Sequence, residues 1–468
     1  MKHNTIYKRL FCTSLLVLSA CFLVPVSAQT LTLDSCLSLA RQHNADIRNS
    51  RLAVQKAQAV KDQVYTKYFP NVSLRALGYY AAQPMIDFGV DDISSNDMRE
   101  LLEAIYEALS DETDVSNRLN LMKKGAGGSI VLAQPIYMGG RIANGNRLAD
   151  LGVEAAGLQA EVKVRDVLEQ VESSYYLVVG LKEKSATVDA ALELIDSLSH
   201  TVNSALANGL ATKADALQVE LKRNEIKAQQ QQLNSGIRLA RRLLCIQIGI
   251  DYSDNLDFGT ESGKWKVESD ADAKNLSTFN FQLSTSTRPE RRLLDLNLRA
   301  QELQKELIRG EALPQLALVG VGFYGNLIRS NATANAVALL SLTVPLTDWW
   351  ETSHKMREHN LRIEEARTMQ EDYNKKMSLE EEKAYSDMVD AAMLIRSDSA
   401  ALDLARENHR LATLNYSAGA NTLNDVLQAQ TLLLQAQNAL TDRRIAYLIA
   451  RRRLQDLTSQ SSPTERSR

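Results

Sequence analysis

Two patterns in the sequence contain residue types that bind phosphates or metals in other proteins. The segment Gly320–Gly325 (GVGFYG) has the glycine spacing of a nucleotide-binding loop, and His354 and His359 form a histidine pair. A nucleotide-binding loop opens a helix and precedes an acidic residue by about twenty positions, whereas a Ser/Asn/Ala-rich turn and another alternating segment follow here. Histidines five positions apart do not share a helix face as an i,i+4 metal pair does. We therefore expect no cofactor, no metal and no enzymatic activity.

We interpret the glycine-rich segment as a strand that carries aromatic residues. Its counterpart in the first half of the chain is Ala76–Ala81 (ALGYYA). Aromatic side chains form girdles at the two edges of membrane strands. Four aromatic residues are candidates for that interface: Tyr79, Tyr80, Phe323 and Tyr324.

Carboxylates near two glycines are the remaining candidates for a functional role. A Gly-x-x-Thr-x-x-Asp pattern occurs twice, as Gly209, Thr212 and Asp215 and again as Gly419, Thr422 and Asp425. Glycine favours the turn that ends a helix, threonine is a good N-cap, and an acidic residue in the first turn is favoured by the helix dipole. These preferences predict two helix turns. A gating role for the two carboxylates is the alternative to this helix-end role.

The two turn patterns belong to a repeat in which the second half of the chain resembles the first half. Pro135 aligns with Pro345 at a spacing of 210 residues, while Pro70 aligns with Pro314 at a spacing of 244. The difference predicts a 34-residue insertion in the first half, within the acidic segment Pro84 to Gly125. Surface loops tolerate such insertions at little cost.

Each repeat contains a helix, a strand pair and two long helices, in that order. Alternating residues predict the strands, and the 3.6-residue period predicts the helices. The predicted segments are a signal peptide at 1–28, a first repeat at 29–250, a polar mid-length segment at 251–287, a second repeat at 288–458 and a flexible tail at 459–468. The predicted strand pairs are 70–83 with 128–138 and 314–327 with 336–347, and the paired long helices are 141–249 and 351–457. The helix that opens the first repeat is predicted to run from Leu33 to Phe69.

The signal peptide and the hydropathy pattern restrict where the protein can reside. A basic start, an apolar run over 10–24 and small residues up to Ala28 are typical of a secretory signal, with a lipid-modified Cys21 as the alternative. No later segment has about 18 consecutive apolar residues. A membrane span would therefore have to consist of strands that close into a barrel.

Lengths and strand number predict an oligomer with very long helices. The stretch 141–207 would span ~100 Å as a helix. The return helix carries a heptad column that is typical of a coiled coil, although an ordinary amphipathic helix is the alternative: Val426, Leu433, Leu440, Tyr447 and Leu454. Four strands cannot close a membrane barrel, which needs about eight. Two copies would give a narrow barrel of eight strands, and three copies would give twelve strands with a conducting interior.

Composition excludes other classes of protein. A net charge of −3 and a pI near 6.2 give no electrostatic basis for nucleic-acid binding. The cysteines that follow the signal, Cys36 and Cys245, are too few for a disulfide framework and are expected to be small buried residues.

Taken together, these features resemble the TolC family of outer-membrane efflux ducts. The motifs that carry the resemblance are Leu31–Asp34 (LTLD), Arg288–Glu290 (RPE), the two strand pairs and Tyr416–Gln430 (YSAGANTLNDVLQAQ). The resemblance implies a mainly α-helical chain with a membrane β-barrel. It implies a homotrimer that forms a 12-strand barrel in outer-membrane lipid and a periplasmic α-helical tunnel. A periplasmic adaptor protein and an inner-membrane pump, driven by protons or by ATP, are the implied partners.

The resemblance also implies a gate at the two turns. Tyr416 and Asp215 match positions that link the turns in the closed state, and Asp425 matches a constriction carboxylate. Asn421 stands where family members carry an arginine, and Gln428 where they carry a second aspartate. These two differences predict a gate that is less tightly held and less selective for cations.

The implied function is passive conduction from a periplasm-spanning pump assembly to the exterior, in the outer membrane with a long periplasmic portion. The alternative is a periplasmic coiled-coil adaptor or scaffold protein. Such a scaffold needs long helical hairpins but has no use for duplicated pairs of amphipathic strands.

Overall fold

The computed structural model describes residues 29–83, 85–89, 100–101, 104, 118–121, 124–259, 288–326 and 332–458. The predicted signal peptide, Cys21, the tail and most of the acidic and polar segments lie outside these residues. The chain divides into two compact units. The first lies within Met1–Ala53, Gly157–Arg292 and Glu371–Arg468, and the second within Val54–Ala156 and Leu293–Gln370. None of the described helices is both long enough and apolar enough to cross a membrane.

Seven helices and eight strands are described. The helices are α1 Leu33–His43, α2 Ala45–Tyr65, α3 Arg141–Ala207, α4 Lys213–Ile248, α5 Pro289–Glu311, α6 Asp348–Ser417 and α7 Leu423–Thr458. The strands are β1 Gln29–Leu31, β2 Asn71–Tyr80, β3 Ile86–Gly89, β4 Arg118–Leu121, β5 Lys124–Met138, β6 Leu256–Phe258, β7 Gln315–Gly325 and β8 Thr333–Thr343.

The prediction of one continuous helix from Leu33 to Phe69 is wrong, because the helix breaks at Asn44. The Asn44 Oδ1 accepts hydrogen bonds from the N–H groups of Asp46 and Ile47, at 2.8 and 3.1 Å. Its Nδ2 donates to the Gln247 carbonyl oxygen at 2.6 Å. Asn44 therefore caps α2 and joins it to the end of α4, and a short 3-10 turn, Thr66–Tyr68, follows α2.

The core of the first unit forms around α1, α3 and α4. Tyr175, Leu244 and Ile248 are among its fully buried side chains, together with Cys36 and Cys245. The two cysteines are free thiols and both are buried, which confirms the prediction that they are small buried residues. Strand β6 pairs in parallel with β1, so the first nine residues of the predicted polar segment return to the start of the described chain.

The predicted heptad column of α7 is buried. Val426, Leu440, Tyr447 and Leu454 expose between 2% and 6% of their surface, and Leu433 is half-buried. The C-terminal part of this column, from Leu440 to Leu454, packs against buried residues of α6 that are spaced three or four positions apart: Ala384, Met388, Ala391 and Ile395. Burial of this column is expected both of a coiled coil and of an ordinary amphipathic helix, so the coiled coil stays a prediction.

The second unit contains a four-stranded antiparallel sheet in the order β2-β5-β7-β8. β5 pairs with β7, so the strand pair of the first half is joined to that of the second half. The register shifts between Pro135 and Tyr137, where β5 has a bulge. β3 and β4 form a separate antiparallel pair, within a segment that the sequence had indicated only as a loop.

The register assigns every strand residue to one of two faces, because residues directly opposite each other in an antiparallel pair share a face. One face is apolar and exposed, and includes Leu74, Ile130 and Leu340, of which 76%, 54% and 65% of the surface is accessible. The opposite face, called the polar face below, is mixed. It carries most of the polar side chains of the sheet, among them Ser73, Arg75, Ser129, Asn335 and Ser341, and also the exposed apolar residues Leu77, Val337 and Leu339.

The register also corrects the prediction of four interface aromatics. Tyr80 and Tyr324 lie on the apolar face, but Tyr79 and Phe323 lie on the polar face. The Phe323 ring lies over Gly127, where a Cβ atom would approach the ring to 2.9 Å. Neighbours along a strand point to opposite faces, so an adjacent pair of aromatics cannot both belong to the same girdle.

Candidate functional site

The two helical hairpins of the first unit end in the same type of turn. Gly209 and Gly419 have φ values of 75° and 74°, a left-handed conformation that glycine adopts without strain. After the first glycine, the Leu210 N–H donates to the Ala205 carbonyl oxygen at 2.8 Å, and the Gly209 N–H donates to the Leu206 carbonyl oxygen at 3.0 Å. The second turn has the same two hydrogen bonds at 2.8 and 3.0 Å. Both are Schellman turns, which satisfy the last carbonyl groups of a helix.

A threonine and an aspartate cap the helix that follows each turn. The hydroxyl and N–H groups of Thr212 donate to Asp215 Oδ2 at 2.7 and 2.9 Å, and the Asp215 N–H donates back to the Thr212 hydroxyl oxygen at 3.2 Å. Thr422 and Asp425 make the same three bonds at 2.7, 2.9 and 3.4 Å. The hydroxyl and N–H donors lower the pKa of both carboxyl groups. Each turn therefore carries a carboxylate that stays ionised at neutral pH.

The two turns pack against each other. One buried cluster contains Val202 and Val219 from the first hairpin together with Leu423 and Leu427 from the second. Tyr416 is half-buried and packs against this cluster, and also against a smaller one that contains Val426. The structure therefore brings the two predicted gate segments together within one chain.

Tyr416 and Asp215, the predicted linking pair, are near each other. Burial raises the pKa of the Tyr416 hydroxyl, and the negative charge of Asp215 adds to the shift. Among the described residues no hydrogen bond joins the two side chains, and Asp215 Oδ2 is used by Thr212. The Asn421 N–H donates to the Asn415 carbonyl oxygen at 3.3 Å, and Gln428 is exposed. The site therefore offers two carboxylates, which attract cations and repel anions, together with neutral polar side chains.

A buried charge cluster in the first unit was not predicted. The Arg288 guanidinium, with 7% of the side chain exposed, lies 3.1 Å from Glu380, 3.7 Å from Glu381 and 3.6 Å from Glu290. Glu381 exposes only 1% of its side chain, and neither of its carboxylate oxygens has a hydrogen-bond partner among the described residues. Burial raises the pKa of Glu381, although the nearby Arg288 acts against this shift.

The sequence contains a signal for this cluster. Glu381 lies between Met377 and Ala384 in a buried column of α6 that is otherwise apolar from Met377 to Leu402. A charged residue in such a column indicates a buried partner of opposite charge. The family motif Arg288–Glu290 supplies that partner, but nothing in the motif by itself identifies Glu381.

Comparisons with known proteins show the fold. No protein-family model matches the sequence, and no curated protein is recognisably similar to it. Among solved structures, the chain is similar to the Campylobacter jejuni CmeC outer membrane channel, with a TM-score of 0.71 and 15% identity over 92% of this chain and 87% of that one. It is similar to the Vibrio cholerae outer membrane protein VceC, with a TM-score of 0.68 and 15% identity over 91% and 95%. For the Neisseria gonorrhoeae MtrE outer membrane channel the TM-score is 0.66, with 14% identity over 91% and 88%.

The chain therefore has the fold of outer-membrane channels. This finding confirms, for the fold, the resemblance to the TolC family that the motifs indicated.

Proposed function

We propose that the chain is one subunit of an outer-membrane channel-tunnel that passively conducts solutes from a periplasmic pump assembly to the exterior. The four-stranded sheet contributes to a membrane barrel, and the long helices contribute to a periplasmic tunnel. The observation that carries the proposal is the sheet, because it combines a wide exposed apolar face, a polar face and two open edges. A soluble protein rarely exposes such a surface.

The apolar face has the composition of a lipid-facing barrel wall. Tyr80 and Tyr324 lie on it at one end, and Tyr137 lies on it at the other end, beyond the bulge. From Leu316, which is opposite Tyr137, to Tyr324 a strand rises ~27 Å, or about 21 Å along the membrane normal at a tilt near 40°. That height is close to the apolar band of about 25 Å between the aromatic girdles of membrane barrels.

The open edges support assembly from several copies. Within the described sheet, β2 pairs only with β5, and β8 pairs only with β7. Because β2 and β8 run in opposite directions, β8 of one copy can add to β2 of the next in an antiparallel pair. Three copies would close twelve strands around a conducting interior, and this supports the homotrimer.

The helices also expose a face that further copies would cover. On α4, Leu217, Leu221, Leu239 and Ile246 expose between 62% and 74% of their surface, and they recur on one side of the helix. Burying this face against a neighbouring subunit is favourable, because each square ångström of apolar surface removed from water contributes ~25 cal/mol.

We propose that the chain catalyses no reaction and that its pump partner supplies the energy for transport. The two turns form the periplasmic gate, where Asp215, Tyr416, Asn421, Asp425 and Gln428 would line the mouth. A periplasmic adaptor protein would connect the channel to a proton-driven or ATP-driven inner-membrane pump.

The mass of the detergent-extracted protein tests the proposal. We expect the protein in the outer-membrane fraction, with a detergent-corrected mass close to three chains. A monomer or dimer in the periplasmic fraction would mean that the strands do not close a barrel, and a coiled-coil scaffold would then be the better interpretation.

A further inference from the structure

The four-stranded sheet carries a single charged side chain on its polar face. That residue is Arg75, at the middle of β2. The one other charged residue of the four strands, Lys124, begins β5 and lies on the apolar face. Arg75 is exposed, and no ion pair joins it to a carboxylate of the described residues.

The neighbours of Arg75 on its face are neutral. Ser129 lies directly opposite it on β5, Phe323 lies opposite Ser129 on β7, and Asn335 lies opposite Phe323 on β8. These four side chains form one row across the sheet. Among the residues that the structure describes, no carboxylate therefore compensates the positive charge of this row.

The next step rests on the proposed trimer. If three copies close twelve strands around a threefold axis, the three Arg75 residues lie in one ring at mid-height of the barrel. Strands spaced about 4.8 Å apart and tilted near 40° give a twelve-strand barrel a backbone radius of ~12 Å. An arginine side chain reaches inward by about half of that distance, so each of the three guanidinium groups would lie ~6 Å from the axis.

We propose that Arg75 is a selectivity residue of the channel and that its ring favours small anions and anionic solutes. Guanidinium binds carboxylate and phosphate groups through paired hydrogen bonds, so solutes that carry these groups are the class it would assist. The ring has the opposite sign to the carboxylates at the two turns. The channel would then contain a cation-attracting mouth and an anion-attracting barrel.

Reversal potentials of the purified channel in planar bilayers, measured across a KCl gradient, test this inference. Asp425→Asn serves as the background, because it removes one carboxylate of the mouth. In that background Arg75→Gln should lower the chloride-to-potassium permeability ratio by about tenfold near 0.01 M salt. Near 1 M salt, where the Debye length is about 3 Å, the change should be less than about twofold. Arg75→Lys should retain the ratio, and Lys124→Gln, on the apolar face, should leave it unchanged.

A second variant covers the case in which Arg75→Gln does not assemble. Ser129→Glu introduces a carboxylate directly opposite Arg75, and it should lower the same ratio while the arginine remains. Conducting channels whose ratio is unchanged by both variants would overturn the role of Arg75 and leave the proposed function intact. A wild-type protein that forms neither trimers nor channels would overturn the proposed function, and this inference with it.

Discussion

The Arg288 cluster gives the sharpest test of how the first unit is stabilised. Arg288 is the only basic group that lies within 4 Å of the Glu381 carboxylate among the described residues. Replacing it in Arg288→Gln leaves a carboxylate with 1% of its side chain exposed and no compensating charge. Breaking a buried ion pair in this way costs ~3–5 kcal/mol in the free energy of unfolding.

Arg453→Gln is a matched control that removes charge from the same cluster. Arg453 lies 3.2 Å from the other oxygen of Glu380, but 47% of its side chain is exposed. Exposed ion pairs contribute ~0–1 kcal/mol, because water screens them and the side chains lose entropy. The loss in the free energy of unfolding should therefore be several-fold larger for Arg288→Gln than for Arg453→Gln.

The loss of stability caused by Arg288→Gln should also depend on pH. Burial raises the pKa of Glu381 above its ordinary value of 4.5, so the folded state binds its proton more tightly than the unfolded state does. Stability from such a group is greatest below the unfolded pKa and falls as pH rises through the folded pKa. Without Arg288 the folded pKa should rise further, so acidification from about pH 7.5 towards pH 5 should recover part of the lost stability.

Far-UV circular dichroism of the detergent-solubilised variants, followed during denaturant unfolding at both pH values, would measure these effects. Adding Glu381→Gln to Arg288→Gln should restore most of the stability at neutral pH, because it removes the unpaired charge. The reasoning is refuted if Arg288→Gln costs no more than Arg453→Gln, or if acid and the second substitution leave its loss unchanged.

Two further predictions concern packing in the first unit. Gly180→Ala should lower the free energy of unfolding by up to ~1 kcal/mol, because the terminal Cδ1 methyl of Ile445 on α7 would have to move to admit its Cβ, and this cost outweighs the gain in helix propensity. Gly236→Ala, where a Cβ would make only an ordinary contact, should be neutral or stabilise by up to ~1 kcal/mol; equal melting temperatures for the two variants would contradict this. Burial, and to a smaller extent the proximity of Cys245, raises the pKa of the Cys36 thiol to about 12. Iodoacetamide should therefore label Cys36 only after unfolding. Rapid labelling of the native protein would contradict this prediction and show that the core opens.

The sequence predicts the long helices and the two turns well, because their signals are local. The period of apolar residues, the glycines and the N-cap threonines all lie within a few positions of the structure they specify. The break at Asn44 was missed although Asn is itself an N-cap residue. The helical period continues on both sides of it, and the hydrogen bond to Gln247 that fixes the joint is 203 positions away.

Contacts between distant segments could not be read from periodicity. The pairing of β1 with β6 joins Gln29 to Leu256, and no pattern in either short segment identifies the other. Similarly, alternation predicts the strands β2 and β7, but only their register shows that Tyr80 lies on the apolar face and Tyr79 on the polar one. The buried Glu381 needed the contact with Arg288 before its role could be recognised.

The turns illustrate why a carboxylate in a suggestive place is not by itself a gate. The hydrogen bonds between Thr422 and Asp425 satisfy the first backbone donors of α7, so a structural role alone explains the aspartate. The two roles make different demands on the side chain. The cap needs an acceptor oxygen, whereas a charge ring needs the negative charge.

Two substitutions separate these demands. Thr422→Ala removes the reciprocal cap but keeps the Asp425 charge, and it should cost ~1 kcal/mol of stability without changing ion selectivity. Asp425→Asn keeps an oxygen that can accept from Thr422 but removes the charge, so it should preserve the helix end and lower the preference for cations in single-channel recordings. If Asp425→Asn leaves selectivity unchanged in a conducting channel, Asp425 is a helix cap and the turns do not select ions by a ring of charge.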